Sequence, residues 1–206
     1  MRHFFALLTG LLMTLGAVAQ GLAPDALVRS VTNDVLDIVR KDKDIQAGNT
    51  RKAVELAEVK VLPHFDFAHM TRLAVGKAWR QASPAQQKAR TDEFRTLLVR
   101  TYSKALTEYR NQTIDFKPVK MQAADTDVVV RTLVQQPGSK PVEIDYSLDR
   151  TDQGWKVYDI SVAAVSLVTN YRSSFAQEIS AGGIDGLIGT LRTTNGGGEA
   201  AVASKQ

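Results

Sequence analysis

Two hydrophobic periods run along this chain, and the switches between them divide it into helical, extended and helical parts. Leu27, Val28, Val31, Val35 and Ile38 recur at the spacing of one helix face. Pro24 and Asp25 suit that helix's first turn, and the pattern predicts an end near Gly48. Thr50 is placed to cap a second helix with Val54, Ala57 and Val61 on one face, stopped before Pro63. Phe65, Phe67, Met70, Leu73 and Val75 predict a short third helix ending at Gly76. Ser83-Pro84-Ala85-Gln86 reads as a capping box with proline in the first helical position. The stripe that follows, Phe94, Leu97, Leu98, Tyr102, Ala105, Leu106 and Tyr109, predicts an amphipathic helix of roughly 25 residues facing something large and apolar.

Past Ile114-Asp115-Phe116 the period becomes two. Asp127 to Gln136 is rich in valine, and Pro137-Gly138 makes a turn. Val142, Ile144, Tyr146 and Leu148 alternate with Glu143, Asp145, Ser147 and Asp149, the pattern of a strand with one face covered. Asp152-Gln153-Gly154 is the next turn, and a strand runs from Trp155 to about Val162. Helical spacing returns at Leu167, Tyr171, Phe175 and Ile179, then at Ile184, Leu187, Ile188 and Leu191. Thr193 to Gln206, with its glycine triplet, reads as a disordered tail. Helices, an antiparallel meander, then helices again predict an α+β fold, with helices packed on one face of a curved antiparallel sheet.

The first residues bear on location. Arg2 and His3 precede an apolar run from Phe4 to Leu15, and Ala17-Val18-Ala19 has the small-x-small form that signal peptidase cleaves. Residues 1–19 are therefore expected to be a secretory signal peptide, with cleavage before Gln20. The run falls short of the roughly 20 residues a membrane span needs. There is no cysteine, so no disulfide and no acylated cysteine is available. Residues 20–192 are expected to form one domain. The net charge of +4 becomes +3 once Arg2 is removed, a balance that gives no reason to expect a nucleic-acid partner.

Motif chemistry is sparse. His64, Asp66 and His69 match no zinc or iron spacing and are expected to pack or cap, so no metal is expected. No nucleophile elbow, phosphate loop or dinucleotide fingerprint is present; Gly182-Gly183-Ile184-Asp185-Gly186 is expected to end one helix and start the next. Of the strand carboxylates, Asp145 falls on the polar face, while Asp159 shares a face with Trp155 and Val157. Asp159 is thus the candidate general base, should the fold house an isomerase- or dehydratase-like enzyme acting on a hydrophobic substrate. The other reading makes Asp159 a structural hydrogen-bond acceptor.

Three stretches together resemble the periplasmic phospholipid-binding proteins of the MlaC type, also called toluene-tolerance proteins. They are Phe65-Asp66-Phe67-Ala68-His69-Met70-Thr71-Arg72-Leu73-Ala74-Val75-Gly76-Lys77-Ala78-Trp79-Arg80; Phe94-Arg95-Thr96-Leu97-Leu98-Val99-Arg100-Thr101-Tyr102; and Trp155 to Ile160 followed by Val165 to Phe175 and Gly183 to Leu187. One departure is Ala163-Ala164, where that family usually carries Glu-Gly; loss of the glycine is expected to alter the bend leaving the last strand.

The resemblance implies a periplasmic carrier, an auxiliary component of an ABC transport system, that encloses acyl chains in a large hydrophobic cavity between helices and sheet. It implies no enzymatic activity and no cofactor, only a bound phospholipid such as phosphatidylethanolamine or phosphatidylglycerol. The implied partners are an inner-membrane ABC transporter complex with an MCE-domain ring and an outer-membrane lipoprotein–porin complex. The expected wall takes Phe67, Leu73 and Trp79 from the third helix region and Phe94, Leu97, Leu98, Tyr102 and Leu106 from the long helix. The strands would add Val128, Val130, Ile144, Tyr146 and Val157, and the last segment Val165, Leu167, Tyr171 and Phe175. Arg72, Arg80 and Arg172 are the expected cations at a head-group rim. A ligand-free adaptor with a packed core is the remaining alternative.

Overall fold

The computed structural model describes the backbone of residues 21–203 and the side chains of residues 21–197. The leader-like residues 1–19 lie outside them. The helices are α1 (Pro24–Lys41), α2 (Lys43–Gln46), α3 (Thr50–Lys60), α4 (Phe67–Val75), α5 (Pro84–Tyr102), α6 (Lys104–Thr107) and α7 (Leu167–Ala203). Single 3-10 turns occupy Leu62–His64 and Gly76–Trp79. The strands β1 (Thr113–Phe116), β2 (Asp127–Gln135), β3 (Val142–Thr151), β4 (Gly154–Val162) and β5 (Val165–Ser166) form one sheet in sequence order, each antiparallel to the next.

Local chemistry sets most of the boundaries. Asp42 divides the first predicted helix, because its carboxylate accepts from the backbone N–H groups of Asp44 at 2.9 Å and Ile45 at 3.1 Å and so starts a new helix. Asn49, one residue before Thr50, caps α3 by accepting from Lys52 N–H at 3.1 Å. The Ser83/Gln86 capping box forms with bonds of 3.2 and 3.0 Å. The long helix stops at Tyr102, and Ser103 separates it from α6.

The last helix kinks at Gly183, whose φ of 67° and ψ of −164° are open chiefly to glycine. Beyond the kink the helix continues through residues expected to be a tail. The Thr193 and Thr194 hydroxyls donate to the carbonyls of Gly189 and Thr190, and buried Asn195 donates through Nδ2 to Glu93 O at 3.0 Å and Glu93 Oε2 at 2.8 Å. Docking on α5 outweighs the low helix propensity of the glycines there.

The β4–β5 bend is made without glycine. Ala163 and Ala164 both adopt left-handed φ, 48° and 65°, at a cost of about 1–2 kcal/mol each. The Ala163 N–H still donates to Glu143 O at 2.9 Å, so the ladder runs into the turn.

The apolar interior falls into three clusters. Met70, Ala74, Phe94, Val168, Phe175, Leu187 and Leu191 knit α4, α5 and α7 together. Val28 packs α1 against Val128, Val130, Leu148, Trp155 and Val157 of the sheet. Val35, Val39, Ile45 and Tyr109 join α1 and α2 to the chain after α6.

Candidate functional site

These three clusters do not merge. Between them lies a cavity of about 370 Å³, within the range of roughly 300–1,000 Å³ usual for small-molecule pockets. Leu27, Val28, Val31, Thr32, Val35 and Leu36 of α1 form one wall, and Ala57, Val61, Leu62, His64 and Phe65 extend it. Phe67, Met70, Leu98, Val99, Tyr102, Ser103, Ala105 and Leu106 close the helical side. Ile114, Ile144, Tyr146, Val157, Ile160, Val162 and Leu167 form the sheet side. Tyr102 and Val162, 39% and 36% exposed, are wall residues that also meet solvent and so mark the mouth.

Among the described residues no Asp, Glu, Lys or Arg stands on this wall, and its three titratable groups are all biased toward the neutral form. Burial, then the nearby Lys156 charge, pushes the His64 imidazole below its ordinary value. Burial pushes the Tyr146 and Tyr102 hydroxyls up. An uncharged wall suits an apolar ligand and penalises a charged one.

Eight of the expected wall residues border the cavity: Phe67, Leu98, Tyr102, Leu106, Ile144, Tyr146, Val157 and Leu167. The others lie elsewhere. Leu73, Trp79, Phe94, Leu97, Tyr171 and Phe175 belong to the α4–α5–α7 cluster, where Phe94 packs edge-on against Tyr171 and Phe175. Val128 and Val130 are buried in the sheet cluster under α1, and Val165 is 57% exposed on β5. None of Arg72, Arg80 and Arg172 lines the cavity. All three are exposed, and Arg172 donates through Nε and Nη2 to the Leu73 carbonyl at 3.1 and 2.8 Å, tying α7 to α4. The α1 contribution was absent from the expected wall. Its signal was the stripe Leu27, Val28, Val31 and Val35, already assigned to a helix face but not to a ligand.

Asp159 does not border the cavity. Its Oδ1 accepts from the N–H groups of Ile160 at 2.8 Å and Val168 at 3.1 Å, and its Oδ2 accepts from Ser166 Oγ at 2.5 Å. This carboxylate ties the start of α7 to β4, the structural role weighed against a catalytic one, and is not placed to act on a cavity ligand. Asp145 lies 3.6 Å from Arg131 as a surface ion pair. Asp66 caps α4 by accepting from His69 N–H at 2.8 Å, while His69 Nδ1 lies 2.8 Å from Asp149 Oδ2 and the imidazole stacks on Tyr158. Asp66, His69 and Asp149 thus converge within 4.8 Å through capping and pairing, and His64 stands apart on the cavity wall.

Helices laid over one face of an open antiparallel sheet, with an uncharged apolar cavity between them, define an apolar-ligand-binding α+β protein. Residues 29–193 match the MlaC protein family, and the chain belongs to it. It is 22% identical over 184 residues, 88% of this chain and 86% of the relative, to the intermembrane phospholipid transport system binding protein MlaC of Haemophilus influenzae. It is 24% identical over 181 residues, 85% and 84% of the two chains, to the toluene tolerance protein ttg2D of Pseudomonas putida. Its fold is similar to that of the phospholipid-binding protein from Ralstonia solanacearum solved in complex with a phospholipid. That likeness has a TM-score of 0.79 and 41% identity, covering 85% of this chain and 98% of the other.

Proposed function

We propose that the protein carries a phospholipid through the periplasm between the outer and inner membranes, enclosing the acyl chains in the cavity and leaving the head group at the mouth. The observation that carries this reading is the uncharged apolar wall, assembled from α1, α3, α4, α5, α6, the start of α7 and the sheet. Two acyl chains hold about 30 methylenes; at roughly 0.8 kcal/mol each, exposing them to water costs on the order of 20 kcal/mol. A carrier in water must therefore enclose them. The head group needs no matching charge inside, so phosphatidylethanolamine and phosphatidylglycerol are both acceptable cargo. The Ralstonia solanacearum structure with its phospholipid and the Haemophilus influenzae transport-system protein support the assignment.

The carrier would receive and deliver lipid at an outer-membrane lipoprotein–porin complex and an inner-membrane ABC transporter with an MCE-domain ring. The leader-like residues 1–19 support the periplasmic location. Among the described residues no helix is long and apolar enough to cross a membrane.

Native mass spectrometry of the purified protein tests the proposal. We expect a co-purified phospholipid that organic extraction releases; a chain with an empty cavity and no extractable lipid would contradict it. Val31→Trp, which fills the space beside α1, is expected to lower bound lipid at least tenfold while the protein stays folded. Unchanged lipid content in that variant would move the cargo out of this cavity.

A further inference from the structure

A second cavity, of about 380 Å³, adjoins the apolar one. Ala105 of α6 and Ile114 of β1 border both. Ile114 pairs with Val134, Val134 pairs with Val142, and Ile144 two residues on pairs with Val162 at the mouth. The two cavities therefore share one end of the sheet. Ala105 presents no more than a methyl group at the junction. Most of the remaining wall of the second cavity is polar: Glu108, Tyr109, Gln112 and Gln136 stand on it. Tyr109 holds this wall in place, its hydroxyl accepting from Arg40 Nη2 at 2.7 Å and donating to Gln112 O at 2.9 Å. The side chains of Gln112 and Gln136 meet through a long bond of 3.4 Å from Nε2 to Oε1. Glu108 is the charged residue on this wall among the described residues. Its carboxylate lies 3.5 Å from Lys104 Nζ, but the two side chains are 65% and 70% exposed, so the pair is weak and open to exchange.

An apolar space beside a polar one that carries a carboxylate matches an amphiphile with a cationic group in its head. From the walls the two cavities share and the chemistry of the second, we infer that the second cavity receives the head group of the lipid whose chains fill the first. The Glu108 carboxylate accepts from a head-group ammonium, and the Gln112 and Gln136 amides donate to the phosphate. The inference rests on the carrier reading and adds to it a preference between two cargoes that both enter. Phosphatidylethanolamine brings an ammonium to Glu108. Phosphatidylglycerol brings the phosphate's negative charge with nothing to offset it beside that carboxylate, and so binds less well.

The test equilibrates the protein with vesicles holding equal amounts of phosphatidylethanolamine and phosphatidylglycerol with identical acyl chains, then reads both bound species by native mass spectrometry. The wild-type chain is expected to hold phosphatidylethanolamine in about two- to fivefold excess, the ratio an exposed charge pair supplies. Glu108→Gln is expected to bring that ratio to about one while total bound lipid stays within about twofold, which a loss of folding would not do. Glu108→Lys is expected to reverse it. Asp152→Asn removes the same charge from the exposed β3–β4 turn and is expected to leave the ratio at its wild-type value. Equal loading of the two lipids by the wild-type chain, an undiminished preference in Glu108→Gln, or an equal loss of preference in Asp152→Asn overturns the head-group site and leaves the carrier standing. If neither lipid loads, the carrier reading falls and the head-group site with it.

Discussion

The helix α5 borders two interiors that differ in how completely side chains fill them. At Phe94 it enters the α4–α5–α7 cluster, where the ring is fully buried and meets Tyr171 and Phe175 edge to face at centroid distances of 5.1 and 5.0 Å. One turn later, at Leu98, and again at Tyr102, it borders the cavity. The rings of Phe94, Tyr171 and Phe175 pack against one another in the first interior. The second is lined mainly by aliphatic side chains of α1, α6 and the sheet, and the helix break at Ser103 comes where a continued α5 would have carried its stripe onward. An apolar stripe of given composition therefore makes either a packed core or a ligand space, according to the bulk of what faces it and the point at which the helix stops.

Truncation on the two sides should separate the interiors most clearly. Phe94→Ala removes a ring from a filled cluster and should cost about 3–5 kcal/mol, lowering Tm by on the order of 10 °C in a thermal melt. Leu36→Ala, on the cavity wall, should cost about 1 kcal/mol or less, because the space beside it is already unfilled by protein. Similar losses for the two variants would break the distinction.

Beside Trp79, at the edge of the filled interior, lies a buried cation that makes no ion pair within 4.0 Å among the described residues, although the Asp185 charge acts on it. Arg90 is completely buried, with Nη1 and Nη2 lacking any hydrogen-bond partner among the described residues; its Nε donates weakly to Gln86 O at 3.4 Å and its guanidinium lies 5.8 Å from the Trp79 ring centre. Burial pushes its pKa down, and the Asp185 charge offsets only part of that. Removing an unpaired charge while keeping the side chain's length should help folding, so Arg90→Met is expected to raise stability by about 1–3 kcal/mol. A lower Tm in Arg90→Met would mean that the guanidinium is satisfied in solution and that this interior is electrostatically complete.

Much of this was legible in the residues. The strand alternation at Val142 to Asp149 and the Ser83-Gln86 box mark their elements because each depends on neighbours in sequence. The cavity wall was legible only in part. Periodicity shows that Phe94 and Leu98 share a face, yet it cannot show that Phe175 arrives opposite one and empty space opposite the other, since that depends on residues far along the chain. The same limit hid α1, whose stripe was plain but whose partner was not. The Asp42 and Ser103 breaks went unseen because apolar periodicity continues across both. The helical course of Thr193 to Gly197 was not legible because glycine composition is local, while the contact of Asn195 with Glu93 joins residues far apart in the chain.

The smallest expected effect lies in the pH response, and it belongs to the cavity side alone. His64 has its pKa lowered from 6.5, first by burial and then by Lys156. Its folded-state value lies below its unfolded one, so in the interval between them the unfolded chain binds more protons. Stability should therefore fall as pH drops through 6.5 toward the folded value, and level off below it. The group is half-exposed, so solvent screening keeps the change small beside that of Arg90→Met. Thermal melts of wild type and His64→Phe between pH 7.5 and 5 isolate it: the difference in Tm between the two proteins should shift in favour of the variant on acidification. A difference that stays constant over that range would mean that the imidazole is as well hydrated as in the unfolded chain, and that the wall is open to water at that point.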